Sequence, residues 1–181
     1  MLIRIIWFIY SLAMECKKQV MENILIVVDV QTEFYSRGIY EKILDYISNN
    51  RVKYDIIVAT QFCNYKDSNF CSMLDWKECY ETKDLDFVPD VLFVKYGYGL
   101  TTVNNKEKET ILQDVNKNKH FDVIGCNTDA CVMAICFELF DRGLNFSILA
   151  DYCYSTLGDE INQMALCCMK ESFGKALKRI Q

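Results

Sequence analysis

Phe121-Asp122-Val123-Ile124-Gly125-Cys126-Asn127-Thr128-Asp129-Ala130-Cys131-Val132 is the stretch on which the fold turns. A short apolar run through Val123 and Ile124 ends at Gly125. A polar turn follows, and a helical pattern opens with Cys131 in its first turn. This is a buried strand passing into a helix, and it sets a thiol where a helix N-terminus favours the thiolate. Asp29 and Lys95 each stand at the end of another apolar run. Three ionisable residues at three strand ends read as one active site.

Outward from that stretch, strand and helix signals alternate. Residues 23–28, 55–59, 91–94, 122–124 and 146–150 read as strands, the first a continuous apolar run of the kind buried on both faces. Helical spacing predicts helices over 39–50, 106–117, 129–141 and 159–172. The third of these is apolar nearly all round, which predicts deep burial, and Gly143 stops it. Section 61–89 is irregular and rich in aromatics, with a short helix near 72–79. The alternation predicts an α/β fold with a mainly parallel sheet of five or six strands and helices on both faces, a three-layer α/β/α arrangement. A last edge strand is not evident, because the chain ends soon after the final helix.

The length of 181 residues suits one domain, expected over 21–181, and the chain is half hydrophobic, enough for a substantial core. Net charge is −5 with no basic cluster, which argues against nucleic acid as a partner. Leu2 to Met14 is apolar with one charge, Arg4, but too short to span a bilayer, and no clear small-residue cleavage site follows it. Met21 directly precedes the first strand, so residues 1–20 are expected to be a dispensable N-terminal extension or a mis-called start. The ten cysteines form no CxxC pair and do not space like zinc ligands. Several fall within apolar patterns as small hydrophobes, which fits a reducing cytoplasm better than a disulfide framework.

In a parallel sheet, ligands bind beyond the carboxyl ends of the strands. Asp29, Thr60, Lys95, Asn127 and Asp151 follow their strands and converge on that edge. The one histidine, His120, precedes its strand and falls at the opposite edge, so it cannot be the general base. A free thiol is only about 3% ionised at neutral pH, so Cys131 needs activation. The helix N-terminus and the charge of Lys95 supply it, and Asp29 is placed to accept the thiol proton. Gly125 and Asn127 allow a sharp turn whose backbone N–H groups face a developing oxyanion. The plainer reading is an ordinary strand-to-helix turn capped by Thr128, with a structural thiol like those assumed at Cys136, Cys167 and Cys168.

Four segments carry a resemblance. Val27-Val28-Asp29-Val30-Gln31-Thr32-Glu33-Phe34 resembles the first-strand signature of the isochorismatase-like cysteine hydrolases, the superfamily that includes nicotinamidases. Val94-Lys95 resembles its catalytic lysine, Ile124 to Val132 its nucleophile loop, and Ala150-Asp151-Tyr152-Cys153 its fifth-strand exit. The order and spacing match from about Met21 to Ser172. The resemblance implies the isochorismatase-like hydrolase fold, an Asp29–Lys95–Cys131 triad, and a non-proline cis peptide between Cys126 and Asn127. That peptide would turn the Asn127 N–H toward the oxyanion, beside that of Cys131. Gln31 and Phe34 match pocket-lining positions, and Trp76, Tyr96 and Tyr98 lie in segments that should border the pocket.

One departure bears on chemistry. The superfamily's nicotinamidases typically bind a metal through an Asp and histidines after the second strand. Here that section reads Thr60-Gln61-Phe62-Cys63-Asn64-Tyr65-Lys66-Asp67, without histidine. Cys63, Cys71, Cys79 and Asp67 are spaced too loosely for a zinc set. The expectation is therefore a metal-free enzyme without cofactor: an amidohydrolase that cleaves a small-molecule carboxamide through a thioester acyl-enzyme. A homo-oligomer is compatible with the apolar surplus, and no membrane partner is expected. Two other classes stay open. A catalytically silent family member would serve as a binding or assembly module. A receiver-like signalling domain would use Asp29 to help hold Mg²⁺, but Lys95 stands where its phosphoacceptor aspartate should. Activation predicts that Cys131 alkylates far faster than the other thiols near neutral pH, and uniform slow labelling would favour the silent module.

Overall fold

The computed structural model describes residues 21–103, 106–113 and 118–178. The expected extension at 1–20 lies outside the described residues. One sheet of six strands forms the middle of the molecule: β1 (Glu22–Val28), β2 (Ile56–Phe62), β3 (Val91–Lys95), β4 (Lys119–Cys126), β5 (Asn145–Tyr154) and β6 (Leu177–Lys178). Their spatial order is β3-β2-β1-β4-β5-β6, and every pairing is parallel.

Alternation along β1 builds the two faces. Leu25 and Val27 point to one side with Ile57, Ile124 and Leu149. There they meet Tyr40, Ile43, Tyr46 and Ile47 of α1 (Ile39–Asn50), whose apolar residues recur at helical spacing. Ile24, Ile26 and Val28 point to the other side. That face is covered by α3 (Lys106–Leu112), α4 (Met133–Asp141) and α5 (Asp159–Phe173) through Ile111, Ile135, Leu139, Leu166 and Met169. The result is the three-layer α/β/α fold expected.

The details differ from expectation in several places, among them these. The short helix after β2, α2, is Asn69–Leu74 rather than 72–79, because Ser68 caps it by accepting from the Cys71 N–H at 3.2 Å. Gln113 already lies outside α3, and 114–117, expected to be helical, are outside the described residues. Helix α4 is not buried all round: Phe137 and Phe140 on its outer side reach the surface. Finally, an edge strand does form. The chain turns at Gly174, and Leu177 and Lys178 pair with Ile148 and Leu149.

Candidate active site

The sheet order reverses between β1 and β4, so the chain leaves these two neighbours in opposite directions and opens a crevice at their carboxyl ends. Asp29 follows β1 and Asn127 follows β4. Asp29 takes a left-handed φ of +48°, unusual for a residue with a side chain. Its N–H donates to the Thr60 carbonyl at 3.1 Å, and its Oδ1 accepts the Thr60 hydroxyl at 2.7 Å. The carboxyl group is thereby aimed along the crevice from a fully buried position. Gly125 makes the close approach possible. Its φ is +124°, and a Cβ there would stand 2.1 Å from the Val28 carbonyl oxygen.

Lys95 ends β3, two strands away, and reaches across β2 with its ammonium 5.3 Å above the Phe62 ring. Its Nζ lies 2.8 Å from Asp29 Oδ2 and donates to Cys131 Sγ at 3.3 Å and to the Gly97 carbonyl at 2.8 Å. The three residues expected to meet are therefore in contact around one ammonium. Burial opposes the charge on Lys95, but Asp29 and Cys131 outweigh it and hold the ammonium above the ordinary lysine range. The thiol behaves contrary to expectation. Burial, and after it the Asp29 carboxylate, push Cys131 up to about 12 against the lowering pull of Lys95. The surroundings of Cys131 therefore favour the thiol over the thiolate.

Cys131 sits in a turn the sequence pattern did not disclose. Residues Thr128–Val132 form a π-helical turn leading into α4, and the Asn127 carbonyl accepts from the N–H groups of Ala130 and Val132, each at 3.0 Å. The N–H of Cys131 lies between these donors and is not used by that carbonyl. Thr128 is not the cap. Asn127 precedes the turn, and its Oδ1 accepts from the Thr156 N–H at 2.7 Å, which ties the turn to the loop after β5. The Cys126–Asn127 peptide is cis, as the resemblance implied.

A cavity of about 410 Å³ opens on Cys131 and is lined by Phe34, Phe62, Phe70, Leu74, Trp76, Tyr98, Asn127, Thr156 and Leu157 among others. Phe34, Trp76 and Tyr98 thus line the cavity together. Gln31 does not line it. Its amide clamps β2 instead, with Oε1 accepting from the Phe62 N–H at 2.9 Å and Nε2 donating to the Phe62 carbonyl at 3.2 Å. Tyr96 lines a neighbouring apolar groove. Asp151 falls inside β5, which runs on to Tyr154, and its carbonyl accepts the Lys42 ammonium at 3.0 Å, away from the cavity. Glu33, Phe62, Phe70, Glu78 and Asp129 line the cavity without having been singled out as pocket residues. Asp129 could have been found from its place two residues ahead of Cys131 in the same loop.

The isochorismatase domain model matches residues 23–181. The chain belongs to the isochorismatase family. Among solved structures, this family member is similar to the nicotinamidase PncA of Bacillus subtilis (16% identity, TM-score 0.67, covering 89% of this chain and 100% of that one). It is also similar to a pyrazinamidase of Pyrococcus horikoshii in complex with zinc (22%, 0.66, 88% and 99%). A third likeness is an isochorismatase-like hydrolase from Alkaliphilus metalliredigens (14%, 0.66, 87% and 93%). No curated protein sequence matches the chain. At these identities the structures speak for the isochorismatase-like fold. Among the described residues no three His, Cys, Asp or Glu side chains are grouped to hold a metal ion. His120 stands near the amino end of β4, beside Asp122 Oδ1 at 3.2 Å and Ser147 Oγ at 2.9 Å. No helix among the described residues is long and apolar enough to cross a membrane.

Proposed function

We propose that this isochorismatase-family enzyme is a cysteine-dependent, metal-independent amidohydrolase acting on a small carboxamide. One observation carries the reading: the buried Lys95 ammonium bridges Asp29 at 2.8 Å and Cys131 at 3.3 Å, and Cys131 in turn lines a cavity. Asp29 takes the proton of the Cys131 thiol as Sγ attacks the amide carbonyl carbon. Because the surroundings of Cys131 favour the thiol, transfer and attack are coupled, and Lys95 carries positive charge beside the sulfur as it becomes anionic. The N–H groups of Asn127 and Cys131 receive the oxyanion, each donor contributing about 10²–10³ in rate. The C–N bond breaks, Asp29 returns the proton to the leaving ammonia or amine, and a thioester remains on Cys131. Asp29 then activates a water that releases the acid. The nine unpaired thiols among the described residues support a reducing compartment, and we place the enzyme in the cytoplasm.

An ammonia-release screen over small amides tests the reading, with Cys131→Ala as the blank. Cys131→Ala should lose turnover entirely. Cys136→Ala, which alters a fully buried thiol that does not line the cavity, should retain it. Equal activity in the two variants removes the mechanism. Mass spectrometry of the enzyme mixed with a turned-over amide should find the acyl group on the peptide that contains Cys131.

A further inference from the structure

The cavity before Cys131 is aromatic and acidic, and no Lys, Arg or His among the described residues lines it. Lys95 does not charge it: the ammonium is fully buried and held by Asp29, Cys131 and the Gly97 carbonyl. Of the three lining carboxylates, Glu33 is countered by Lys83 at 2.7 Å. Asp129 has no such partner. It stands in the same π-helical turn as the nucleophile, and its Oδ1 is shielded from solvent with no hydrogen-bond donor among the described residues. That Oδ1 is closed to a ligand as it is to water, but Asp129 is part of the cavity lining and its charge acts across the cavity.

The walls suit a positively charged ligand. Phe34 and Trp76 lie with planes 22° apart and centroids at 6.0 Å. Phe70 meets Trp76 and Tyr98 edge-on at 5.9 and 5.0 Å. Ring faces attract cations, and several rings around one carboxylate hold an alkylated ammonium through its charge and its methyl groups together. An anionic substrate would face Asp129 and Glu78 with no basic group on the lining to answer its charge.

We propose that the ligand of this cavity carries a positively charged nitrogen of the alkylammonium class, with Asp129 facing the charge and the aromatic walls enclosing its alkyl groups. That the same molecule presents a carboxamide to Cys131 rests on the amidohydrolase reading above. The two claims are tested separately. Calorimetric titration of the full chain with choline, and with its uncharged isostere 3,3-dimethylbutan-1-ol, reads the cation preference without any turnover. Choline should bind about tenfold tighter or better, and Asp129→Asn should remove most of that preference. Glu78→Gln, on the exposed rim, should reduce it by a smaller factor and serves if Asp129→Asn folds poorly. Choline that does not bind, binds no better than the isostere, or keeps its full preference in both variants overturns the proposal. In the ammonia-release assay, (trimethylammonio)acetamide should show a lower KM than 3,3-dimethylbutanamide. Selective choline binding without ammonia from either amide would defeat the amidohydrolase reading and keep the cation site. Turnover of the neutral amide with an equal or lower KM would defeat the cation site and keep the amidohydrolase.

Discussion

Lys95 serves two partners with one charge, and it does so without contact with solvent. Lys95→Met keeps much of the bulk but leaves Asp29 buried without its cation, beside the Thr60 hydroxyl and the Cys131 thiol. Breaking a buried pair from one side costs about 3–5 kcal/mol, and urea unfolding should show a loss of that size. Adding Asp29→Asn to the same chain should recover part of it, because the orphaned charge is gone. The thiols give a second prediction. Cys71 is lowered by the Ser68 and Tyr80 hydroxyls, whereas burial holds Cys131 up near about 12. Near neutral pH iodoacetamide should therefore modify Cys71 ahead of Cys131. The Cys131 rate should then climb with each pH unit through 9 and beyond, following its thiolate fraction. Peptide mass spectrometry resolves the two, and a Cys131 rate that leads at neutral pH and stays flat would refute the protonated resting thiol. This is also where the sequence stopped being legible. Asp29 and Lys95 could be read because each closes an apolar run at one sheet edge, and Cys131 because it opens a helix just beyond another such run, all local signals. The ionisation of Cys131 and the clamp made by Gln31 depend on what three distant strands bury around them, and no local pattern carries that.

Among the elements, β1 and β4 form the junction on which the site depends, and Gly125 is its narrowest point. A Cβ at Gly125 would collide with the Val28 backbone, its nearest contact 2.1 Å from the carbonyl oxygen. Gly125→Ala must push β4 away from β1, and with it the Cys126–Asn127 turn away from Asp29. Gly143 gives the comparison: its φ is also positive, at +69°, but a Cβ there meets nothing within 4 Å. Gly143→Ala should cost only the left-handed penalty of about 1–2 kcal/mol. Gly125→Ala should cost several kcal/mol more, with activity lost even where some folded protein survives. Thermal unfolding of the two variants checks the difference. The same elements show which parts of the fold were readable. The apolar runs of β1 and β2 are unbroken and mark strands buried on both faces, and α1 repeats its apolar residues at helical spacing. The π-helical turn at Thr128–Val132 and the two-residue β6 were not, since one extra residue in a turn and a pairing of two residues lie below any periodic signal.

At the scale of the molecule, five of the nine described cysteines are buried, and this sets how stability should depend on pH. Burial pushes Cys131 and Cys153 up to about 12 and holds Cys126 and Cys136 well above the ordinary thiol value of 9.0. The buried phenols of Tyr54 and Tyr154 are likewise raised by burial. A group whose folded pKa exceeds its unfolded one keeps its proton in the fold after the unfolded chain has released it. Its contribution is therefore complete below pH 9, falls as pH rises from 9 toward 12, and each such thiol steepens the fall by about one proton, or ~1.4 kcal/mol per pH unit. Urea unfolding in the presence of a reductant should show stability level on the acid side of this window and dropping steeply within it. Cys153→Ala tests the cause. Its thiol lies within β5, donating to the Leu149 and Val123 carbonyls at 3.5 and 3.8 Å and remote from the cavity lining. The variant should be less stable near neutral pH because a packed side chain is trimmed, yet its alkaline slope should be shallower by about one proton. A slope unchanged by Cys153→Ala would mean that the buried thiols do not govern the alkaline limit of this fold.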